Sequence, residues 1–135
     1  MIRPGRFGGP VGRNAMEDCA CRGKNLDKML QPAILSCVFT KDSYGPVILE
    51  ELAESPLFRG EAPDKAGVYR TLKRMVEEGH LTAEWEANDV DAKPRRRYAI
   101  TDSGKNCLAY WMQTLKYYEQ SVHFLAKKIE KLFCP

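Results

Sequence analysis

Histidine is scarce in this chain, two in 135 residues, and neither His80 nor His123 has a cysteine, serine or carboxylate at a catalytic spacing. No Gly-x-Ser-x-Gly, His-Glu-x-x-His or Walker pattern occurs either, so a non-enzyme that needs no cofactor is expected. Long apolar runs are also missing. The purest, residues 33–39, is seven residues long and already contains Ser36, against about 20 needed to cross a bilayer. No basic stretch followed by an apolar one stands near Met1, and a cytoplasmic protein with no membrane partner is the expectation. Cysteine is present but odd in number: Cys19, Cys21, Cys37, Cys107 and Cys134. Without a secretion signal, reduced thiols are the better reading than a disulfide scaffold. Cys19-x-Cys21 could serve a metal-responsive or redox switch, yet a zinc site needs four ligands and no second pair is present.

Charge of one sign does not dominate. The net charge is +3, and its distribution says more than its size. Residues 1–24 carry five basic and two acidic side chains, residues 25–104 eleven and fourteen, and residues 105–135 five and two. A nucleic-acid binder shows a local basic footprint rather than a uniform excess, so net charge alone does not point to DNA. With 44% hydrophobic and 29% charged residues, the chain reads as one folded domain with appendages.

Three segments follow from the patterning. Residues 1–24 are dense in Gly and Pro with no apolar period, and read as a flexible basic arm; their GRFGGPVG lacks the preceding strand a phosphate loop needs. Residues 25–104 form the domain. Leu26, Met29, Leu30, Ile34, Leu35, Val38 and Phe39 recur at helical spacing, with Pro32 near the start of the helix. A polar turn at 41–45 leads into a second helix opened by Pro46, with Val47, Ile48, Leu49, Leu52 and Ala53 apolar, closed by Ser55-Pro56. A third runs from the N-cap Asp64 to Gly79, with Val68, Leu72, Met75 and Val76 on one side. Leu81, Ala83, Trp85 and Ala87 then alternate with Thr82, Glu84 and Glu86, and Arg96, Tyr98 and Ile100 alternate again. That is a β-hairpin with a long polar tip. Thr101 caps a last helix, and residues 105–135 form a dimerisation helix. Its Leu108, Trp111, Leu115, Tyr118, Val122, Leu125, Ile129 and Leu132 step by three and four without a break. A seam of that length needs a partner, and a second copy is the economical one.

Three helices, a hairpin and a long helix make an α+β, mainly α architecture: a winged helix-turn-helix with a long C-terminal dimerisation helix. In such a fold the third helix enters the DNA major groove. Its outer side presents Lys65, Gly67, Arg70, Thr71 and Arg74, with Tyr69 on the flank. Lys93, Arg95, Arg96 and Arg97 crowd the hairpin tip, where a wing meets the sugar-phosphate backbone. Each feature has a blander counterpart, a solvated helix face or a tip kept soluble by arginine. A winged-helix module that binds protein rather than DNA is the alternative that the domain's acidic balance favours.

ILSCVFTKDSYGPVILEEL (34–52), AGVYRTLKRMVEEGHLTAEWE (66–86) and PRRRYAITDSGKNCL (94–108) together resemble the PadR family of transcriptional regulators. Tyr69, Leu72, Met75, Gly79, Trp85, Glu86, Arg96, Tyr98, Thr101 and Gly104 fall on family positions. Ala66-Gly67-Val68 replaces Gly-Thr-Leu, and Tyr44-Gly45-Pro46 stands where His-Gly-Tyr is typical, so operator sequence does not carry over. VYRTLK (68–73) is also similar to the recognition helix of ferric-uptake-type regulators, whose His-rich metal sites have no counterpart here. The PadR resemblance implies a homodimeric repressor on a double-stranded operator, released by a small molecule. Tyr110, Trp111 and Tyr117, with Tyr118 and Phe124 nearby, would supply an aromatic effector surface; Trp111 and Tyr118 can equally be plain seam residues.

Overall fold

The computed structural model describes residues 29–58, 63–87 and 93–134. Helix α1 spans Leu30–Val38, strand β1 Ser43–Tyr44, helix α2 Gly45–Glu54, and a short 3-10 turn Pro56–Phe58. Helix α3 follows at Lys65–Glu77, strands β2 and β3 at Leu81–Glu86 and Arg95–Ile100, and helix α4 at Asp102–Phe133. The expected arm and its Cys19 and Cys21 lie outside the described residues, as do Leu26 and most of the hairpin tip.

Local chemistry accounts for the boundaries. Pro32 sits in the first turn of α1 and Pro46 in that of α2, where a missing N–H leaves no helical bond unmade. At the start of α3, Asp64 accepts from the Gly67 N–H at 3.1 Å. Beyond its end, Gly79 takes φ +85°, the left-handed geometry that closes helices. The 41–45 segment, expected as a plain turn, contains β1. Its two residues pair antiparallel with Tyr98 and Arg97 of β3, making a three-stranded sheet in the order β1-β3-β2. Two residues are too short a run for an alternation to be read.

The core is one cluster. Ile34, Leu35 and Val38 of α1 meet Ile48 and Leu52 of α2, Val68, Leu72 and Met75 of α3, and Leu81 and Tyr98 of the sheet. Phe39, expected on the buried stripe, lies past the end of α1 and is 47% exposed, with the Lys105 ammonium 5.8 Å from its ring. Burial also fails along the hairpin. Leu81 is buried and Ala83 half-buried, but Trp85, expected on the same inner face, is 68% exposed. Of β2, only Leu81 and Ala83 pack on the core. Cys37 is a half-buried thiol pushed up to about 12, chiefly by burial and further by Glu51; burial raises Cys107 as well. Both shifts disfavour the thiolate, the reactive form of cysteine.

A tight joint ties α3 to α4. The Thr101 hydroxyl donates to the Gly79 carbonyl at 2.6 Å and accepts from the Gly104 N–H at 3.0 Å, while the Thr101 N–H donates to the His80 carbonyl at 3.1 Å. Gly104 is buried there, and a Cβ on it would collide with the His80 carbonyl oxygen. Helix α4 therefore starts at Asp102, inside the expected domain, and is continuous through residue 105. Thr101→Ala is expected to lower stability by about 0.5–2 kcal/mol, the range for a lost cap. Amide exchange at Gly104 and Lys105 should accelerate beyond the global change at Leu35 and Leu72, which hydrogen-exchange mass spectrometry would resolve.

Candidate nucleic-acid interface

Helix α3 is buried along Val68, Thr71, Leu72 and Met75. The opposite side steps through Ala66, Arg70, Lys73 and Glu77, all exposed. Lys65 and Arg74 are exposed on the two flanks of that stripe. Lys73 is a cation that the sequence reading missed. Thr71, expected on the outer face, is only 7% exposed, and its hydroxyl donates to the Gly67 carbonyl at 2.9 Å. The signal was there: Thr71 lies three residues after Val68 and four before Met75, squarely on the apolar stripe. Tyr69 is half-buried, its ring filling the space a Cβ on Gly45 would need, so it braces α3 against the start of α2. Gly67, also half-buried, is engaged through its N–H with Asp64. Arg70 lies 3.8 Å from Asp64, with both side chains about three-quarters exposed, an ion pair weak enough for another anion to replace.

The hairpin arginines lie in β3 itself rather than at the tip, and the strand's alternation separates them. Arg97 is half-buried among three carboxylates: Asp42 at 3.5 Å, Glu84 at 3.0 Å and Glu86 at 3.4 Å. Arg95 stacks its guanidinium 3.8 Å from the Tyr44 ring centre and reaches Glu86 at 3.4 Å. The Tyr44 hydroxyl donates to the same Glu86 Oε1 at 2.8 Å. That hydrogen bond is the first reason the Glu86 carboxyl is held below its ordinary range, with Arg95 and Arg97 adding to it. Two of the expected phosphate contacts are thus turned onto the protein's own acids. Arg96 points to the other face and is exposed, 5.3 Å from the ring of Trp85 directly across the ladder. Lys93 is exposed just before β3.

Helix α4 divides in two. Leu108, Trp111 and Leu115 are half-buried against the chain's own body, and the Trp111 indole N–H donates to Gln31 of α1 at 2.8 Å. The first three seam positions are therefore already engaged. From Lys116 to Cys134 every residue is exposed, Tyr118, Val122, Leu125, Ile129 and Leu132 included. Two clefts flank the root of α4. One, about 480 Å³, is lined by His80, Ser103, Asn106, Cys107, Tyr110, Trp111 and Thr114. The other, about 570 Å³, is lined mainly by Met29, Pro32, Ala33, Leu57, Leu108, Met112 and Leu115. Of the expected effector residues the first cleft holds Tyr110 and Trp111; Tyr117 is exposed beyond it. Among the described residues no group of three or more His, Cys, Asp or Glu could hold a metal ion, and no helix is long and apolar enough to cross a membrane.

Residues 34–110 match the family model described as the transcriptional regulator PadR-like family. Among solved structures, a Thermoplasma acidophilum protein is similar at 24% identity and TM-score 0.67, over 76% of this chain and 94% of its own. A PadR family transcription regulator from Clostridium difficile is similar at 24% identity and TM-score 0.59, over 68% and 92%. A PadR-like regulator from Bacillus cereus is similar at 24% identity and TM-score 0.61, over 74% and 93%. At these identities the structures speak for the shared fold. No curated protein matches the chain.

The depressed Glu86 carboxyl has a defined pH signature. A carboxyl whose folded pKa lies below its unfolded value contributes stability that is present above the unfolded value and lost as pH falls through the folded one. The stability difference between wild type and Glu86→Gln should hold above pH 4.5 and shrink toward zero in more acid solution. Denaturant midpoints measured across that range test it.

Proposed function

The chain belongs to the PadR-like family of transcriptional regulators, DNA-binding proteins rather than enzymes, and from that premise we propose that it is a homodimeric repressor relieved by a small aromatic molecule. Two copies pair through the outer part of α4 and present two α3 helices to successive major grooves, half-sites lying about one helical turn apart. Arg70, Lys73 and Arg74, with Lys65 at the helix start, face the duplex. The positive N-terminal end of α3 adds a partial charge toward phosphate. Arg96 and Trp85 flank them from the wing, beside Lys93. Bound in this way, the dimer closes the operator to other proteins. The operator and dimerisation partner are thus the macromolecules of this reading; the thiol- or metal-responsive alternative rests on Cys19 and Cys21, outside the described residues.

The observation that carries the proposal is the contrast along α4. Its first turns are packed on the domain, yet its a/d seam continues for two further heptads into solvent. Burying Tyr118, Val122, Leu125, Ile129 and Leu132 contributes roughly 1.5–3 kcal/mol for each large apolar side chain. Summed over two chains, that is of the same order as the association cost, about 4–15 kcal/mol, so the seam can support a dimer. The cleft at the α3–α4 joint suits the effector, since a molecule wedged against His80 and Trp111 presses on the end of α3 and the start of α4 together. Domain organisation follows as an arm, a DNA-binding body, and a helix shared between body and partner.

Leu125→Asp is expected to shift the protein toward monomer in sedimentation velocity and to weaken operator binding in parallel. A stable dimer in that variant would overturn the seam assignment. Arg70→Ala should cost about 1–3 kcal/mol at one base position and relax sequence choice there, whereas Arg96→Ala should weaken all sequences about equally. Binding assays on an operator selected from genomic fragments, set beside a scrambled duplex, separate the two.

A further inference from the structure

The outer face of the wing holds an arrangement that DNA binding by the body does not explain. Three donors converge on one carboxylate: Tyr44 and Arg95 on Glu86 Oε1, at 2.8 and 3.4 Å, and Arg97 on Oε2 at 3.4 Å. One N–H from each of two guanidinium groups and a hydroxyl, closing on two oxygens, is a donor set that suits a phosphate diester as well as a carboxylate. Here an intramolecular acid occupies it. Glu84 and Asp42 complete the neutralisation of Arg97, so two cations stand among three anions and the face carries a net negative charge. Glu86 Oε1 is opposite Arg95 because the β2–β3 register pairs those two residues, and Glu84 meets Arg97 by the same register.

We propose that Glu86 is a built-in competitor for DNA phosphate: it holds Arg95 and Arg97 in the free protein and so suppresses sequence-independent binding through the wing. The inference rests on the DNA-binding reading above. Its physical content is a difference of affinities. These ion pairs are partly exposed and individually weak, so a correctly placed phosphate displaces the carboxylate, while a passing phosphate does not gain enough to do so. Selectivity then falls to α3, where the exposed cations meet base edges. Arg96, on the other face of β3, stays available throughout.

The test is binding of the full chain to a random-sequence duplex across about 50 to 200 mM salt, where each added phosphate contact steepens the log–log slope by about 0.9. Glu86→Gln keeps an oxygen to accept from Tyr44 and removes the charge. It should tighten random-duplex binding and steepen the slope by about 1 to 2 per chain. The same substitution in an Arg95→Ala/Arg97→Ala background should give no gain. A gain persisting in that background reflects net charge alone and overturns the proposal, as does an unchanged or shallower slope in Glu86→Gln. If wild type shows no salt-dependent DNA binding, the functional reading and this inference fall together; if it binds and Glu86→Gln changes nothing, only the inference falls. Should Glu86→Gln fold poorly, Glu84→Gln, which removes the charge of Arg97's 3.0 Å partner, should show a smaller change of the same sign.

Discussion

Everything this molecule can do at a distance depends on the joint between the end of α3 and the start of α4. Thr101 bonds both ways, to the Gly79 carbonyl and to the Gly104 N–H, and Gly104 lies so close to the His80 carbonyl that no side chain fits between them. A helix of 32 residues is a long lever. Unless its root is held rigidly, the proposed partner at the far end would have no control over where α3 points. Three short hydrogen bonds and a glycine contact make the root stiff, and the Trp111–Gln31 bond adds a second fixing point one helix away.

Charge in this protein is arranged by cancellation as much as by accumulation. The domain has more acids than bases, and in the wing Asp42, Glu84 and Glu86 are engaged by Arg95 and Arg97. What is left exposed is a narrower set on α3, with Arg96 on the opposite side of the wing. A surface built this way attracts DNA through a few directed cations and lacks the broad positive field that would hold it to any polyanion. The half-exposed pairs cost little to make and little to break, which suits groups that change partners.

Much of this was legible in the sequence because it depends on local periodicity and end chemistry. The helices announced themselves through Ile34/Leu35/Val38, Val68/Leu72/Met75 and the unbroken seam of α4, and Asp64, Gly79 and Thr101 are caps by their own side-chain or backbone preferences. The hairpin followed from alternation. What escaped was whatever depended on where an element ends relative to its neighbours. Trp85 obeys the inner-face alternation yet stands in solvent, because only Leu81 and Ala83 of β2 pack on the core. Phe39 obeys the α1 spacing but lies one residue beyond the helix.

The residues proposed to face DNA divide the same way. Arg70, Arg74 and Lys65 are exposed as expected, since opposite faces of one helix can be computed from its own residues. Thr71 turned inward because it shares the stripe of Val68, Leu72 and Met75, and Lys73 outward because it lies opposite that stripe, a phase the helix spacing already carried. The arginines could not be sorted from the run alone. Adjacent residues in a strand point to opposite faces, and only the pairing with β1 and β2 brings Tyr44, Asp42, Glu84 and Glu86 up to Arg95 and Arg97 while leaving Arg96 apart. By itself, then, the order of residues determined the helices and the hairpin, the caps at Asp64, Gly79 and Thr101, and which cations are present. Which of those cations remain open to a ligand was decided by tertiary structure, because a charge's availability depends on neighbours that are distant in the chain.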